Sequence, residues 1–262
     1  MYKICLYKKR SSGFSLVEMS IVIVVTGLVV AGIVAGKNIA KSAKLNRFIS
    51  ELSSIQISYD SFVEQFKQPP GDMRNAHDYW GASCDAAPVK CNGNGDSLIS
   101  WHWHSNGGTN DTDDNETFRA WQHMYLAGFI NKPFSGISVG GTNNADENTL
   151  YFSSTDKGKY FLVNRQPYNG IFGQQQMANI LLLGSREPGR NIWWKTLSVA
   201  EAYKIDLKLD DGIANNGNVF GATGYGTPTD SCSEEFLHAS GSDYNTANFS
   251  SDEKHCVLLF AF

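Results

Sequence analysis

Residues 14–36 read FSLVEMSIVIVVTGLVVAGIVAG, an apolar run in which Glu18 is the only charge. As a helix rising 1.5 Å per residue it reaches roughly 34 Å, enough to cross a bilayer core of about 30 Å. Lys37 closes the run. Beyond it Leu45, Phe48, Ile49, Leu52, Ile55, Tyr59, Phe62, Val63 and Phe66 recur at steps of three and four, which predicts a helix with one apolar face. Pro69-Pro70-Gly71 cannot continue it. One long helix is therefore expected, its first half suited to lipid and its second half, residues 37–66, needing a protein surface to cover its stripe.

After residue 67 the pattern shortens. Apolar, β-rich runs at 150–153, 159–164, 179–183 and 257–262 stand among Gly- and Asn-rich turns, the pattern of a mainly antiparallel sheet. A helix is expected over 116–128, behind Asp111, Asp113, Asp114 and Glu116, whose charges suit a helix N-terminus. No linker divides residues 67–262, a length sufficient for one domain with its own core. The expected class is α+β: a long N-terminal helix, transmembrane over 14–36 and amphipathic over 37–66, packed on a mainly antiparallel sheet domain with large loops.

The N-terminus changes how the span is read. Lys3, Lys8, Lys9 and Arg10 precede it, which favours a cytoplasmic N-terminus and an exported remainder. In a secretory signal the small residue at the cleavage site follows the apolar core, whereas here Gly13 comes before it. A cut after Gly13 removes residues 1–13 and leaves the helix on the mature chain. A carboxylate inside an apolar span is costly unless paired, so Glu18 calls for a partner.

A basic leader, then Gly13, Phe14 and Glu18, resembles the signature of the type IV pilins and type II secretion pseudopilins. The resemblance covers residues 1–66. It implies that a prepilin peptidase cuts after Gly13 and methylates the new Phe14 amine, and that Glu18 pairs with the N-terminal amine of a neighbouring subunit. The implied partners are other pilin or pseudopilin subunits, the peptidase, the inner membrane and its assembly platform. The implied location is a single-pass inner-membrane chain with a periplasmic domain, later built into a filament. Many major subunits of the family carry a helix-kinking Pro where this chain has Ala35. That favours a minor or atypical subunit.

Composition agrees with export. Cys5 leaves with the leader, and Cys84, Cys91, Cys232 and Cys256 remain, an even set that reads as two disulfides. Proximity in sequence favours Cys84 with Cys91 and Cys232 with Cys256, and the second pair resembles the C-terminal disulfide loop of many pilins. A zinc site is the rival, without any CxxC to support it. The mature chain keeps 18 Lys and Arg against 26 Asp and Glu, a net −8. Such a domain has no broad basic face, so no nucleic-acid partner is expected. Arg186, Arg190 and Lys195 form at most a local patch.

Oxygen-rich loops raise the question of a hard cation. Asn92, Asn94 and Asp96 alternate as ligands do around Ca²⁺, although Ser97 stands at the EF-hand glycine position and Trp103 at its closing Glu. A further ligand would come from the Asp111–Glu116 segment, and the rival reading is a plain Asn-Gly turn. Asp206, Asp210 and Asp211, at the end of a strand-like run, are the second candidate set. No cofactor is required by either. His102 and His104 between Trp101 and Trp103 suit a packed pair or a metal, and Trp193-Trp194 a core element or a binding platform. Without a GxSxG context no hydrolase triad is assigned, and no enzyme is expected. Two functions follow: a filament subunit, and an adhesin-like module at a filament tip that recognises a surface or secreted substrate.

Overall fold

The computed structural model describes residues 13, 15–100, 116–136, 158–164, 179–185, 193–224, 227, 231–233 and 243–261. It divides into two compact units, Met1–Asn46 and Arg47–Phe262. The first unit carries most of α1 (Leu16–Phe66), and there the apolar side chains from Leu16 to Ile39 are exposed. Surface of that kind is stable only against lipid or other apolar helices. Its hydroxyls are satisfied within the helix: Ser20 Oγ donates to the Val17 carbonyl at 2.8 Å, and Thr26 Oγ1 to that of Val22 at 2.8 Å. Neither of these two hydroxyls therefore asks the surroundings for a partner.

The second unit begins with the amphipathic end of α1, so the globular body includes helix residues that a division at residue 67 would leave out. Its sheet holds β1 (Gly158–Asn164), β2 (Asn179–Ser185), β3 (Val219–Thr223) and β4 (Cys256–Ala261) in the order β1-β2-β4-β3, all antiparallel. Around it lie α2 (Ala76–Trp80), α3 (Pro88–Cys91), α4 (Glu116–Leu126) and α5 (Val199–Leu209). The class is α+β, as the hydrophobic pattern predicts.

Both faces of the sheet are covered, which is why its strands read as continuous apolar runs. On one face Phe161, Val163, Ile180, Leu182, Phe220, Ala222, Val257 and Leu259 form a cluster with Phe118 of α4. Residues of opposite parity meet α1: Phe48 lies 6.4 Å from the Tyr160 ring and 5.8 Å from that of Phe260. Phe62, fully buried, is the hub at the far end of the stripe, among Phe66, Trp80, His123 and Phe129.

Two elements depart from expectation. The stretch ending at Asp206 to Asp210 is helix α5, not a strand. Ser198 caps it by accepting from the Glu201 N–H while Glu201 accepts from the Ser198 N–H, a reciprocal pair that fixes a helix start. β3 was not expected because Gly221 interrupts its apolar run. The glycine is there for space: a Cβ at 221 would stand 2.4 Å from the Tyr244 ring. The expected run at 150–153 lies outside the described residues.

Phe62→Ala leaves a cavity under four rings, and denaturant melts of the chain in detergent are expected to show a loss of about 3–5 kcal/mol. A loss below about 1 kcal/mol would mean that the site collapses around the truncated residue.

Candidate functional site

The N-terminal site begins with Gly13, which is exposed, while Phe14 lies outside the described residues. Ser15 and Glu18 form a capping box at the start of α1. Glu18 Oε2 accepts from the Ser15 N–H at 2.7 Å, and Ser15 Oγ accepts from the Glu18 N–H at 3.1 Å. Sequence reasoning sought the partner of Glu18 in another subunit and missed the one three residues away, although Ser-x-x-Glu ahead of an apolar run is its signature. In the single chain the carboxylate therefore has a local donor, with its other oxygen left for a further one.

The second site is the loop after Cys91. Here the backbone turns its N–H groups inward, not its oxygens. Those of Gly95, Asp96 and Ser97 all donate to the carboxylate of Asp72. Glu116, at the start of α4, accepts from the Asn94 N–H at 2.9 Å and the Ser100 N–H at 2.8 Å. Asn92 Oδ1 accepts from the His77 N–H at 2.8 Å, and Asn94 Oδ1 from the Asp96 N–H at 2.8 Å. The Asn94 amide oxygen thus serves its own turn, and that of Asn92 ties the loop to the first turn of α2. The carboxylates brought together are Asp72, Asp96 and Glu116, with one oxygen of each within 4.8 Å of the others. Asp72 had no spacing signal, because it reaches the loop from a separate turn.

Burial of charge dominates this cluster. Desolvation pushes Glu116 up to about 7, against the pull of the Ser100 and Asn94 N–H groups and with help from the charges of Asp72 and Asp96. Burial raises Asp72 as well, opposed by its backbone donors. Such a group of oxygens gains from a proton or a hard cation. Arg74 does not neutralise it, since its guanidinium donates to the Asn94 and Gly95 carbonyls on the outer side of the loop.

Asp206, Asp210 and Asp211 also approach one another, again within 4.8 Å. Asp206 is buried in α5, where its carboxylate accepts from Tyr244 Oη at 2.9 Å and the Gly212 N–H at 3.1 Å. Burial raises it to about 7, although both hydrogen bonds favour the ionised form. Asp210 takes the N–H groups of Asn218 and Val219, and Asp211 that of Ile213 at 2.8 Å. Each carboxylate pins a different part of the turn leading into β3.

Two disulfides, Cys84–Cys91 and Cys232–Cys256, join the residues paired by proximity. α4 holds both ends of the first. Gln122 Nε2 donates to the Cys84 carbonyl at 2.7 Å, and His123 Nε2 lies 3.0 Å from the Cys91 carbonyl. His123 Nδ1 accepts from the Gly71 N–H at 3.0 Å, so Nε2 carries the proton and the ring is neutral. With their sulfurs bonded to each other, Cys84 and Cys91 offer no thiolate to a zinc ion, despite His123 beside them. Residues 101–104, the cluster Asp111, Asp113 and Asp114, and Arg186 and Arg190 lie outside the described residues. Trp193, partly buried, packs against the sheet core, and the backbone of Trp194 bridges to Ser185.

Residues 8–34 match the family model described as the prokaryotic N-terminal methylation motif. No curated protein and no solved structure matches the chain.

His123 yields a pH prediction. Burial lowers it from its ordinary 6.5 to about 3. The unfolded chain therefore binds its proton first, so the stability His123 confers is complete above pH 6.5 and is lost as pH falls toward 3. His123→Gln should cost about 1–3 kcal/mol at neutral pH and flatten the acid limb of the melting curve. An equally steep acid limb in the variant would assign that limb to other groups.

Proposed function

We propose that this chain, which carries the N-terminal methylation motif of pilin-type subunits, is a minor or atypical subunit of a type IV pilus or type II secretion filament. One conjunction carries the reading: the motif at residues 8–34 opens directly into a helix whose apolar side chains are exposed from Leu16 to Ile39. The peptidase cuts after Gly13 and methylates Phe14. Basic residues upstream keep the N-terminus cytoplasmic, and the disulfide-bonded unit stands in the periplasm. The assembly platform then draws α1 from lipid into a bundle of like helices, so that one apolar surface serves two surroundings. The role is structural rather than catalytic.

Glu18 is the residue on which that transfer turns. In the bundle the N-terminal amine of a neighbour replaces or joins the Ser15 N–H on the carboxylate, a charge-assisted contact stronger than the neutral one. Calcium belongs to the same proposal as the neutralising partner of Asp72, Asp96 and Glu116, whose converging oxygens are those a hard cation prefers.

Mass spectrometry of the mature N-terminus is expected to show a chain beginning at N-methylated Phe14. An intact Met1 or an unmodified cut elsewhere would sink the assignment. Glu18→Ala should insert in the membrane at wild-type levels while its recovery in sheared filaments drops by about tenfold or more. Undiminished recovery would remove the proposed role of Glu18. Millimolar calcium should raise the melting temperature of the wild-type chain and leave Glu116→Gln unmoved, and an unmoved wild type would count against the ion.

A further inference from the structure

Exposed groups on α1 repeat one spacing with opposite charge. Val34, Lys37 and Lys41 follow one another at steps of three and four, as do Ile57, Asp60 and Glu64. All six side chains are exposed, Val34 to 55% and Ile57 to 65%. Each step of three or four keeps a set on one helix face, and each set is an apolar residue followed by two like charges one turn apart. Every corresponding pair, Val34 with Ile57, Lys37 with Asp60 and Lys41 with Glu64, is separated by the same 23 residues.

We infer that the Ile57-Asp60-Glu64 face is the seat of the Val34-Lys37-Lys41 face of a second copy of this chain. This rests on the filament reading, which places all copies in one membrane with the same direction and so makes their helices parallel. A parallel neighbour displaced by 23 residues, about 35 Å of helix, sets the apolar residues against each other and both ammonium groups opposite carboxylates. Charge complementarity selects the occupant, since one sequence supplies both halves. Lys44 continues the cationic face and would meet Lys67 in this register. That like-charge meeting is avoided because Lys67 lies past the end of α1 with φ at +58°, off the helical track. The two patches are different surfaces, so the contact is head-to-tail and leaves a free patch at each end. An open contact of that kind propagates. No other stagger keeps both charge pairs, and an inverted neighbour keeps them only by setting Ile57 opposite Lys44 and Val34 opposite Lys67, so the apolar contact belongs to the parallel register alone.

The test is cross-linking between two co-expressed full-length copies, one Val34→Cys and the other Ile57→Cys, in sheared filaments, with unassembled membranes, where all copies span at one depth and no such dimer forms, as the control. A disulfide-linked dimer is expected. It should fall about tenfold or more when the Ile57→Cys copy also carries Asp60→Lys and Glu64→Lys, and return when the Val34→Cys copy carries Lys37→Glu and Lys41→Glu. All four charged residues are exposed, so the domain fold is not at stake, and unchanged melting of each variant checks this. Absence of the dimer, a dimer indifferent to charge reversal, or cross-links only to other filament proteins would overturn the inference. The state of the N-terminus tells the two readings apart: a methylated Phe14 with no dimer overturns the stagger alone, and an unprocessed N-terminus with no dimer overturns both.

Discussion

The constraint on which the globular unit depends is that α4 has no solvent to turn to. Every residue from Glu116 to Met124 is buried, polar ones included, so the polar side chains turn to the protein for partners, although the Trp121 indole N–H finds none among the described residues. Phe118 faces the sheet cluster, while Glu116, Arg119, Gln122 and His123 are spent on the backbone of the loops around them. Helix and loops are therefore mutually necessary. Gly71 shows how closely they fit: with φ at +85°, a Cβ there would lie 2.3 Å from the Glu116 carbonyl oxygen. The disulfide Cys84–Cys91 acts inside this arrangement, narrowing the choices open to a segment whose two ends α4 already holds.

The same requirement explains the carboxylates. Asp72, Glu116 and Asp206 sit where water is excluded and backbone N–H groups converge, so they organise turns as a bound anion would. Their raised protonation points are the mark of that placement. A loop whose donors face inward is opposite in polarity to one built to hold a cation through its carbonyls, and any cation must approach from the carboxylate side.

How much of this was legible in the sequence follows from the range of each interaction. The unbroken apolar run of the span, the periodic stripe from Phe48 to Phe66 and the continuous apolar strands β1, β2 and β4 are all patterns carried by neighbouring residues, and such patterns are local. Helix α5 was misread because Asp206 to Asp210 resembles a strand when taken without Ser198 and Glu201, the capping pair that shows where the helix begins. β3 was hidden by Gly221, whose reason is a tyrosine far along the chain. For the candidate site the sequence pointed to Asn92, Asn94 and Asp96 by spacing and to the Asp111–Glu116 segment for a further ligand, and Glu116 does reach the loop, yet Asp72 comes from a turn that no spacing marked. Tertiary convergence leaves no trace in spacing. The Ser15–Glu18 pair is different, since it was readable and was passed over in favour of a more distant partner.

That pair has a consequence for how such a chain waits. A lone carboxylate in hydrocarbon would make the unassembled form a liability, prone to leave the bilayer or to seize whatever cation came near. Because Ser15 answers Glu18 from within the same helix, the solitary form keeps its carboxylate hydrogen-bonded, although still charged. On the proposed reading, stock accumulates in the bilayer until it is drawn upon, and recruitment is an exchange of one donor for a better one.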